Sequence, residues 1–347
     1  MSRNSPRQAD IAREAGVSQS TVSQVLRGSG DITRISAETQ ARVISAAKRL
    51  RYRPSGKERQ VTEIRGAPLL LGVHTFEPIF PTSARDYYFE FLRGIEEQAS
   101  VEGCNLVLFT AARHEGGVRR IYRDEVNGLG QAAGSLLLGH HAHLDDLARL
   151  SADGHPFVYI GRREVPGVEI AYVGGDYRSA TGRIVDDLVA MGHRTFAYVG
   201  EEERHEPQTD RWDGFSSALD RFGLTVPKPE YVQPQQLAAQ WLDDALANGA
   251  TAILVESVRL LTVLQAIAGL RNLSVPGDVS IVLLVDHSPG EAGPGTWASM
   301  RIPRHAMGTR AVRLLTSLLT DPVGDYERQI LLPCGYALEG TVAPPGG

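Results

Sequence analysis

Along the first fifty residues, apolar positions recur at helical spacing and are interrupted by single glycines and hydroxyl residues. Ser5-Pro6-Arg7-Gln8 has the make-up of a helix start: a serine N-cap, proline at the first helical position, and a glutamine that completes a capping box. Ile11 and Ala15 then share one face, and Gly16 stands where a C-cap glycine belongs. Ser18 caps a second helix over 19–26, with Val22, Val25 and Leu26 as its apolar stripe. Gly28, Gly30 and Asp31 predict a loop. Ser36 and Glu38 open a third helix, in which Val43, Ala47 and Leu50 repeat until Arg53-Pro54 stops it. Three short helices, the first two parted by a glycine turn, predict a helix-turn-helix whose second helix enters the major groove of DNA.

From residue 69 the pattern changes. LLLGV (69–73), NLVLFT (105–110), SLLLG (135–139), FVYIG (157–161), TFAYVG (195–200), AILV (252–255) and SIVLLV (280–285) read as buried parallel strands. Helical stretches lie between them, among them FEFLRGIEEQAS, ATGRIVDDLVAMG and WDGFSSALDRFG. This alternation predicts an α/β architecture, long enough for two doubly wound lobes with a ligand cleft beyond the carboxyl ends of the strands.

Charge sharpens the division. Residues 1–65 hold 13 Lys and Arg against 6 Asp and Glu, whereas the remainder holds 23 against 35. A basic head on an acidic body is the footprint of a polyanion-binding module joined to a non-binding one. No apolar run approaches the ~20 residues that span a bilayer. The opening MSRNSPRQAD has no apolar stretch behind its arginines, so a cytoplasmic location is expected. Cys104 and Cys334 stand apart, without the spacing of a disulfide framework or a zinc site.

The runs DIAREAGVSQSTVSQVLRGSG (10–30) and ISAETQARVISAAKRLRYRP (35–54) resemble the head of the lactose/galactose/purine repressor family. The core AGVS-x-x-TVS-x-VL is far more specific than a generic helix-turn-helix. The resemblance implies that Gln19, Ser20 and Gln24 occupy the base-reading positions, that Thr21 and Ser23 lie where the family meets phosphates, and that Ser18 belongs to the same DNA-binding set. Glutamine pairs bidentately with adenine; serine discriminates little. Arg7 departs from the family's usual capping threonine, and the loop from Gly28 to Ile35 is slightly long.

Residues 54–66 take the place of the family's hinge helix, which orders on operator DNA and wedges a leucine into the minor groove. Arg59 agrees with that pattern; Val61 replaces the leucine, Glu58 an alanine, and Gly56 weakens helicity. The expected domains are therefore a DNA-binding head over 1–53, a hinge over 54–66 and an effector-binding, dimerising core over 67–347.

The body resembles the family's periplasmic-binding-protein-like core in YYFEFLRGIEE (87–97), GDYRSATG (175–182), MGHRTFAYVG (191–200), RWDGF (211–215) and VPGDVSIVLL (275–284). The resemblance implies a first lobe over about 67–174 that takes back a segment near the C-terminus. It places Tyr87 and Tyr88 at the floor of the effector cleft, although core packing at a helix start explains Tyr88 equally well, and makes Arg211 the fork that holds ligand oxygens. Asp145 and Asp286 are further cleft candidates, although helix capping explains Asp145 equally well. Other positions depart: Ser257-Val258 replaces an Asn-Asp pair, Val285 replaces the aspartate before Asp286, and no aromatic follows Tyr231 where a stacking ring is usual. Trp297 reads as a core residue rather than a substitute for that ring.

His140, His141 and His143 crowd one loop, but no cysteine or spaced carboxylate completes a metal set. No metal and no cofactor are expected. The sequence lacks GxSxG, GxxxxGK[ST] and HExxH, and GLGQAAG (128–134) precedes a strand rather than following one. The reading is a non-enzymatic transcriptional repressor that binds operator DNA as a homodimer and answers to a small molecule, a sugar or related metabolite. The end TVAPPGG has no leucine heptads and so suggests no tetramerising tail. A solute-binding protein or enzyme built on the α/β body alone is the alternative, and the intact head counts against it.

Overall fold

A computed structural model describes residues 8–27, 35–50, 68–77, 85–110, 114–115, 118–123, 125–139, 143–287, 292–293 and 295–346. Three head helices come first: α1 (Gln8–Ala15), α2 (Gln19–Arg27) and α3 (Ala37–Arg49). They bury Ile11, Ala15, Val22, Val43 and Ala47 around one small core, with Val25 and Leu50 packed at its edge. Gly16 adopts a left-handed φ of 64°, which lets the Val17 N–H turn back to the Ala12 carbonyl at 3.0 Å and close α1. Ser18 Oγ accepts from the Thr21 N–H at 3.1 Å, and Ser36 Oγ from the Thr39 N–H at 3.2 Å, so both expected caps form. The start at Ser5-Pro6-Arg7 and the loop at Gly28, Gly30 and Asp31 lie outside the described residues, as does the side chain of Leu26.

The chain divides into two compact units, Met1–Val173 with His305–Ile330, and Gly174–Arg304 with Leu331–Gly347. The first contains, in chain order, β1 (Leu70–Thr75), α4 (Arg85–Val101), β2 (Asn105–Phe109), β3 (His114–Glu115), β4 (Val118–Arg119), β5 (Tyr122–Arg123), β6 (Val126–Asn127), β7 (Gly134–Leu138), α5 (Leu144–Ala152) and β8 (Phe157–Ile160). The boundary falls within β9 (Tyr172–Asp176). The second holds α6 (Tyr177–Ala190), β10 (Phe196–Glu201), α7 (Glu206–Arg221), β11 (Glu230–Val232), α8 (Ala239–Ala247), β12 (Ala252–Val255), α9 (Val258–Leu270), β13 (Ser280–Leu283) and β14 (Ser299–Arg301). Helix α10 (Arg304–Thr320) belongs to the first unit but for its first residue; β15 (Gln329–Pro333) straddles the last boundary, and β16 (Gly335–Ala337) closes the second.

Each unit is built on a six-stranded sheet, ordered β15-β9-β8-β7-β1-β2 in the first and β11-β10-β12-β13-β14-β16 in the second. Pairs from β2 through β1, β7 and β8 to β9 are parallel, as are those from β11 through β10, β12 and β13 to β14. Strands β7, β8, β12 and β13 are buried along their whole length, which explains their unbroken apolar runs. In the first sheet β2 and β7 flank β1 on opposite sides; in the second β11 and β12 flank β10. These are switch points, where helices depart to opposite faces and the strand ends open a crevice.

The strand–helix alternation is interrupted once. Between β2 and β7 the described residues form two small antiparallel hairpins, β3 with β4 and β5 with β6. The glycine pair, Asn127-Gly128 and the β-branched residues in HEGGVRRIYRDEVNG favour turns over a helix, and Glu125 takes a left-handed φ of 68° in the second hairpin.

Helices α6 and α7 cross so closely that a Cβ built on Gly214 would overlap the Arg178 carbonyl oxygen, whereas one on Gly182 would sit 3.7 Å from its nearest neighbour. Gly214→Ala is therefore expected to destabilise the chain by ~2–3 kcal/mol through overpacking. Gly182→Ala should be neutral or slightly stabilising, because alanine favours helix. Urea unfolding of both variants checks this; equal stability of the two would show that the crossing relaxes freely.

Candidate functional site

On α2 the side chains divide by face. Val22 is fully buried, Gln19, Ser20 and Gln24 are exposed, and Thr21 and Ser23 are half-buried. The Ser18 hydroxyl at the helix start also bonds those of Ser20 (2.7 Å) and Thr21 (2.8 Å), so three hydroxyls are linked in the cap. Exposed Gln19, Ser20 and Gln24, on a helix anchored by buried Val22, form a polar surface of the kind that reads base edges. Arg59 and Val61 lie outside the described residues.

At the switch point of the first unit, β1 continues into Phe76 and Glu77. The buried Tyr88 of α4 donates to Glu77 Oε2 at 2.5 Å, and burial together with the Glu77 charge pushes its phenol far above the usual range. Tyr87 meets Tyr88 edge-on, with ring centroids 4.9 Å apart, and is half-buried. His74 is buried in β1; burial first and the neighbouring Arg119 second push its pKa down to about 4. Arg119, itself buried, donates to Thr75 Oγ1 at 3.1 Å. Asp145 is exposed in the first turn of α5 and caps nothing; the N-cap is His143, without a side-chain bond. Its neighbour Asp146 is the buried carboxylate, accepting from Arg120 Nη2 (2.7 Å) and from the Ile121 N–H (2.8 Å). Burial opposes its charge, but the Arg120 bond prevails and holds its pKa below the ordinary value.

At the switch point of the second unit, Glu256 follows β12 and is 3% exposed. It accepts from the Tyr198 hydroxyl (2.6 Å), the Glu201 N–H (3.0 Å) and Arg204 Nη1 (2.5 Å). The Arg204 guanidinium lies 4.0 Å over the Tyr231 ring. Trp212 meets Tyr198 and Tyr231 edge-on. Nearby, Arg211 of α7 is 4% exposed and lies 4.3 Å over the ring of Tyr177. Burial pushes the Tyr177 phenol up to about 12, with the Arg211 charge opposing it. Asp286, half-buried after β13, pairs with Arg304.

Residues 9–55 match the family described as bacterial regulatory proteins, lacI family, and residues 185–340 match a periplasmic binding protein-like domain. An uncharacterized HTH-type transcriptional regulator in the aml 5' region of Streptomyces limosus is 30% identical over 329 residues, covering 89% of this chain and 87% of that protein. The chain belongs to the lacI family. It is thus a ligand-responsive, DNA-binding transcriptional regulator. Another member, catabolite control protein A of Staphylococcus aureus strain Mu50, is 24% identical over 335 residues, 96% of this chain and 98% of its own. The lacI-family fold is seen again in a lac repressor dimer bound to operator and the anti-inducer ONPF, with a TM-score of 0.63 at 19% identity over 98% of this chain and 100% of that one.

Of the effector residues expected for a lacI-family protein, Tyr87 and Tyr88 sit together beside the first sheet, and Arg211 and Asp286 both act on Tyr177 in the second unit. Asp145 joins neither group. Glu256, Arg204 and Tyr198 were not singled out by the sequence. Glu256 follows an apolar strand directly, at the carboxyl end where such sheets bind ligands, and that placement was the available signal. Trp297 is buried in a core cluster of the second unit, as expected. Among the described residues no three His, Cys, Asp or Glu side chains gather as metal ligands, and no helix is long and apolar enough to cross a membrane. His140 and His141 lie outside the described residues.

Proposed function

We propose that this chain is a cytoplasmic repressor, not an enzyme, that binds a pseudo-palindromic operator as a homodimer and changes its operator affinity when a small molecule binds the body. Residues 1–53 carry DNA recognition, 54–66 link the head to the body, and 67–347 bind effector and dimerise. Gln19, Ser20 and Gln24 face base edges; Thr21 and Ser23 set the register on phosphates, beside Ser18 at the helix start; Arg59 and Val61 act in the linker. Tyr87, Tyr88, Arg211 and Asp286 contact the effector, and Asp145 stands at its margin. The exposure of Gln19, Ser20 and Gln24 on α2, with Val22 buried and Ser18 capping the helix, is the observation that carries this reading. Leu106 and Leu108 on the edge strand β2 and Val101 before it are exposed apolar residues, and they support self-association. The lac repressor complex, a dimer with operator and anti-inducer, supports the same assignment.

Gln24→Ala tests the recognition role. A glutamine amide matches the N6/N7 edge of adenine, and a bidentate pair gives ~1–3 kcal/mol of discrimination. The variant is expected to relax preference at one base pair in each half-site while the salt dependence stays unchanged. Binding-site selection from random DNA reads this out; identical selected motifs for wild type and variant would remove Gln24 from the readout.

A further inference from the structure

In the first unit, β1 carries a buried imidazole without a hydrogen-bond partner. His74 is 2% exposed, and neither of its ring nitrogens is bonded among the described residues. It stands two residues before Phe76 on the same face of the strand, and the two rings meet edge-on with centroids 5.0 Å apart. Residues 119–123 roof that face. The Arg119 N–H donates to the Phe76 carbonyl at 2.8 Å, and Ile121 packs with Phe76, Leu137 and Leu147 in one apolar cluster. Around His74 stand Phe109 of β2 and Leu137 of β7, level with it in the sheet, and three charged groups: Glu77 beyond β1, Arg119 of β4 and Asp146 of α5.

Two carboxylates of α5 and its C-cap hold residues 119–123 in place. Asp146 accepts from Arg120 through both oxygens (3.1 and 2.7 Å) and from the Ile121 N–H (2.8 Å), and the Tyr122 hydroxyl donates to Asp153 at 2.5 Å. Beneath this clasp three polar atoms are kept from water without a partner: both ring nitrogens of His74 and Arg119 Nε. Lifting the segment would hydrate all three, so part of what the clasp gains is lost to what it hides. We propose that residues 119–123 form an acid-released strap, clasped over the end of β1 by Asp146 and lifted when His74 takes up a proton. In the seated strap, burial first and the Arg119 charge second hold the imidazole at about 4, while Asp146, Glu77 and the Phe109 carbonyl pull more weakly the other way. Once lifted, the imidazole returns to its ordinary 6.5. Seating is therefore undisturbed above about pH 6.5 and weakens progressively as the pH falls toward about 4. The strap also reaches the candidate effector residues. Arg119 Nη1 donates to Thr75 Oγ1 (3.1 Å), the Thr75 hydroxyl to the Glu77 carbonyl (2.8 Å), and the Glu77 carboxylate holds Tyr88. That link, unlike the strap itself, rests on Tyr88 being an effector contact.

Hydrogen exchange of the full-length chain, followed by mass spectrometry and divided by the intrinsic rates, tests this. From about pH 7 to about pH 5 the opening constant of the peptide holding Ile121 and Tyr122 is expected to rise roughly 20-fold, the ratio that one proton gives between a seated value of about 4 and a lifted value of 6.5. At each pH it should stay well above the opening constants of β7 and β8 in the same unit. His74→Leu should abolish the rise. Asp146→Asn keeps an acceptor for the Ile121 N–H but loses the charge opposite Arg120, and should raise the opening constant at neutral pH by on the order of tenfold. A rise that survives in His74→Leu, an unchanged opening constant in Asp146→Asn, or a strap that opens only together with β7 and β8 overturns the proposal. Should either variant fail to fold, ¹³C-labelled histidine in the native chain decides: a His74 ring that titrates at its ordinary value sinks the trigger, and a depressed value upholds it. Strap release that leaves the Tyr88 ring resonances unmoved upholds the strap and removes its link to the effector residues.

Discussion

A chain beginning at Ala67 is expected to lose operator binding by on the order of 10³-fold or more while its body remains folded. The head carries 13 basic against 6 acidic residues, and the acidic remainder repels phosphates. The head has its own core, and Arg49 reaches Glu14 at 3.1 Å between α3 and α1, so it folds around contacts the body does not share. Neutralising phosphates releases counterions, so affinity of the full chain should fall by on the order of 10³ between low and physiological salt. Fluorescence anisotropy with labelled operator across a salt series measures both effects. A truncated body that still binds operator as tightly as the full chain would place DNA recognition elsewhere.

Glu256→Ala is expected to cost ~3–5 kcal/mol of stability, the range for breaking one side of a buried ion pair. The substitution leaves the fully buried Tyr198 hydroxyl without its acceptor, frees the Glu201 N–H and unpairs the Arg204 guanidinium from its carboxylate. Arg204 would not simply turn to water. Its Nη2 is tied to the Gln208 carbonyl at 2.8 Å, and its face rests on Tyr231. Glu256→Gln keeps the shape and an acceptor for Tyr198, and should cost less than half as much. Urea unfolding monitored by tryptophan fluorescence is suited to this, since Trp212 lies against Tyr198. A loss below ~1 kcal/mol for the alanine variant would mean that the network contributes little beyond filling space.

Much of this molecule is set by local rules. In the head, Gly16, Ser18 and Ser36 determine where helices stop and start, because a left-handed turn or a side-chain cap involves only neighbouring residues. The central strands were equally legible, since a parallel strand covered on both faces must be apolar throughout. The short strands β11, β14, β15 and β16 were not, because their pairing is supplied by distant segments and too few residues carry a period. The hairpins between β2 and β7 likewise contradict the simple alternation, although their glycines gave a hint.

At the candidate sites the split follows the same line. The residues of α2 and the importance of Arg211 came from the sequence, through a motif and a resemblance. Which carboxylates are already engaged did not. Glu256 meets Arg204 across 52 positions and Tyr198 across 58, while Asp286 meets Arg304 across 18. The buried member of Asp145-Asp146 was likewise decided by which one faced Arg120. Periodicity tells which side of an element is apolar, but a charge is neutralised by whatever the fold brings beside it. By itself the sequence determined a helix-turn-helix head, an α/β body and the residue types available for recognition. The tertiary structure alone decided that Glu256 pairs with Arg204 and Asp286 with Arg304, because only folding shows which charges have found each other.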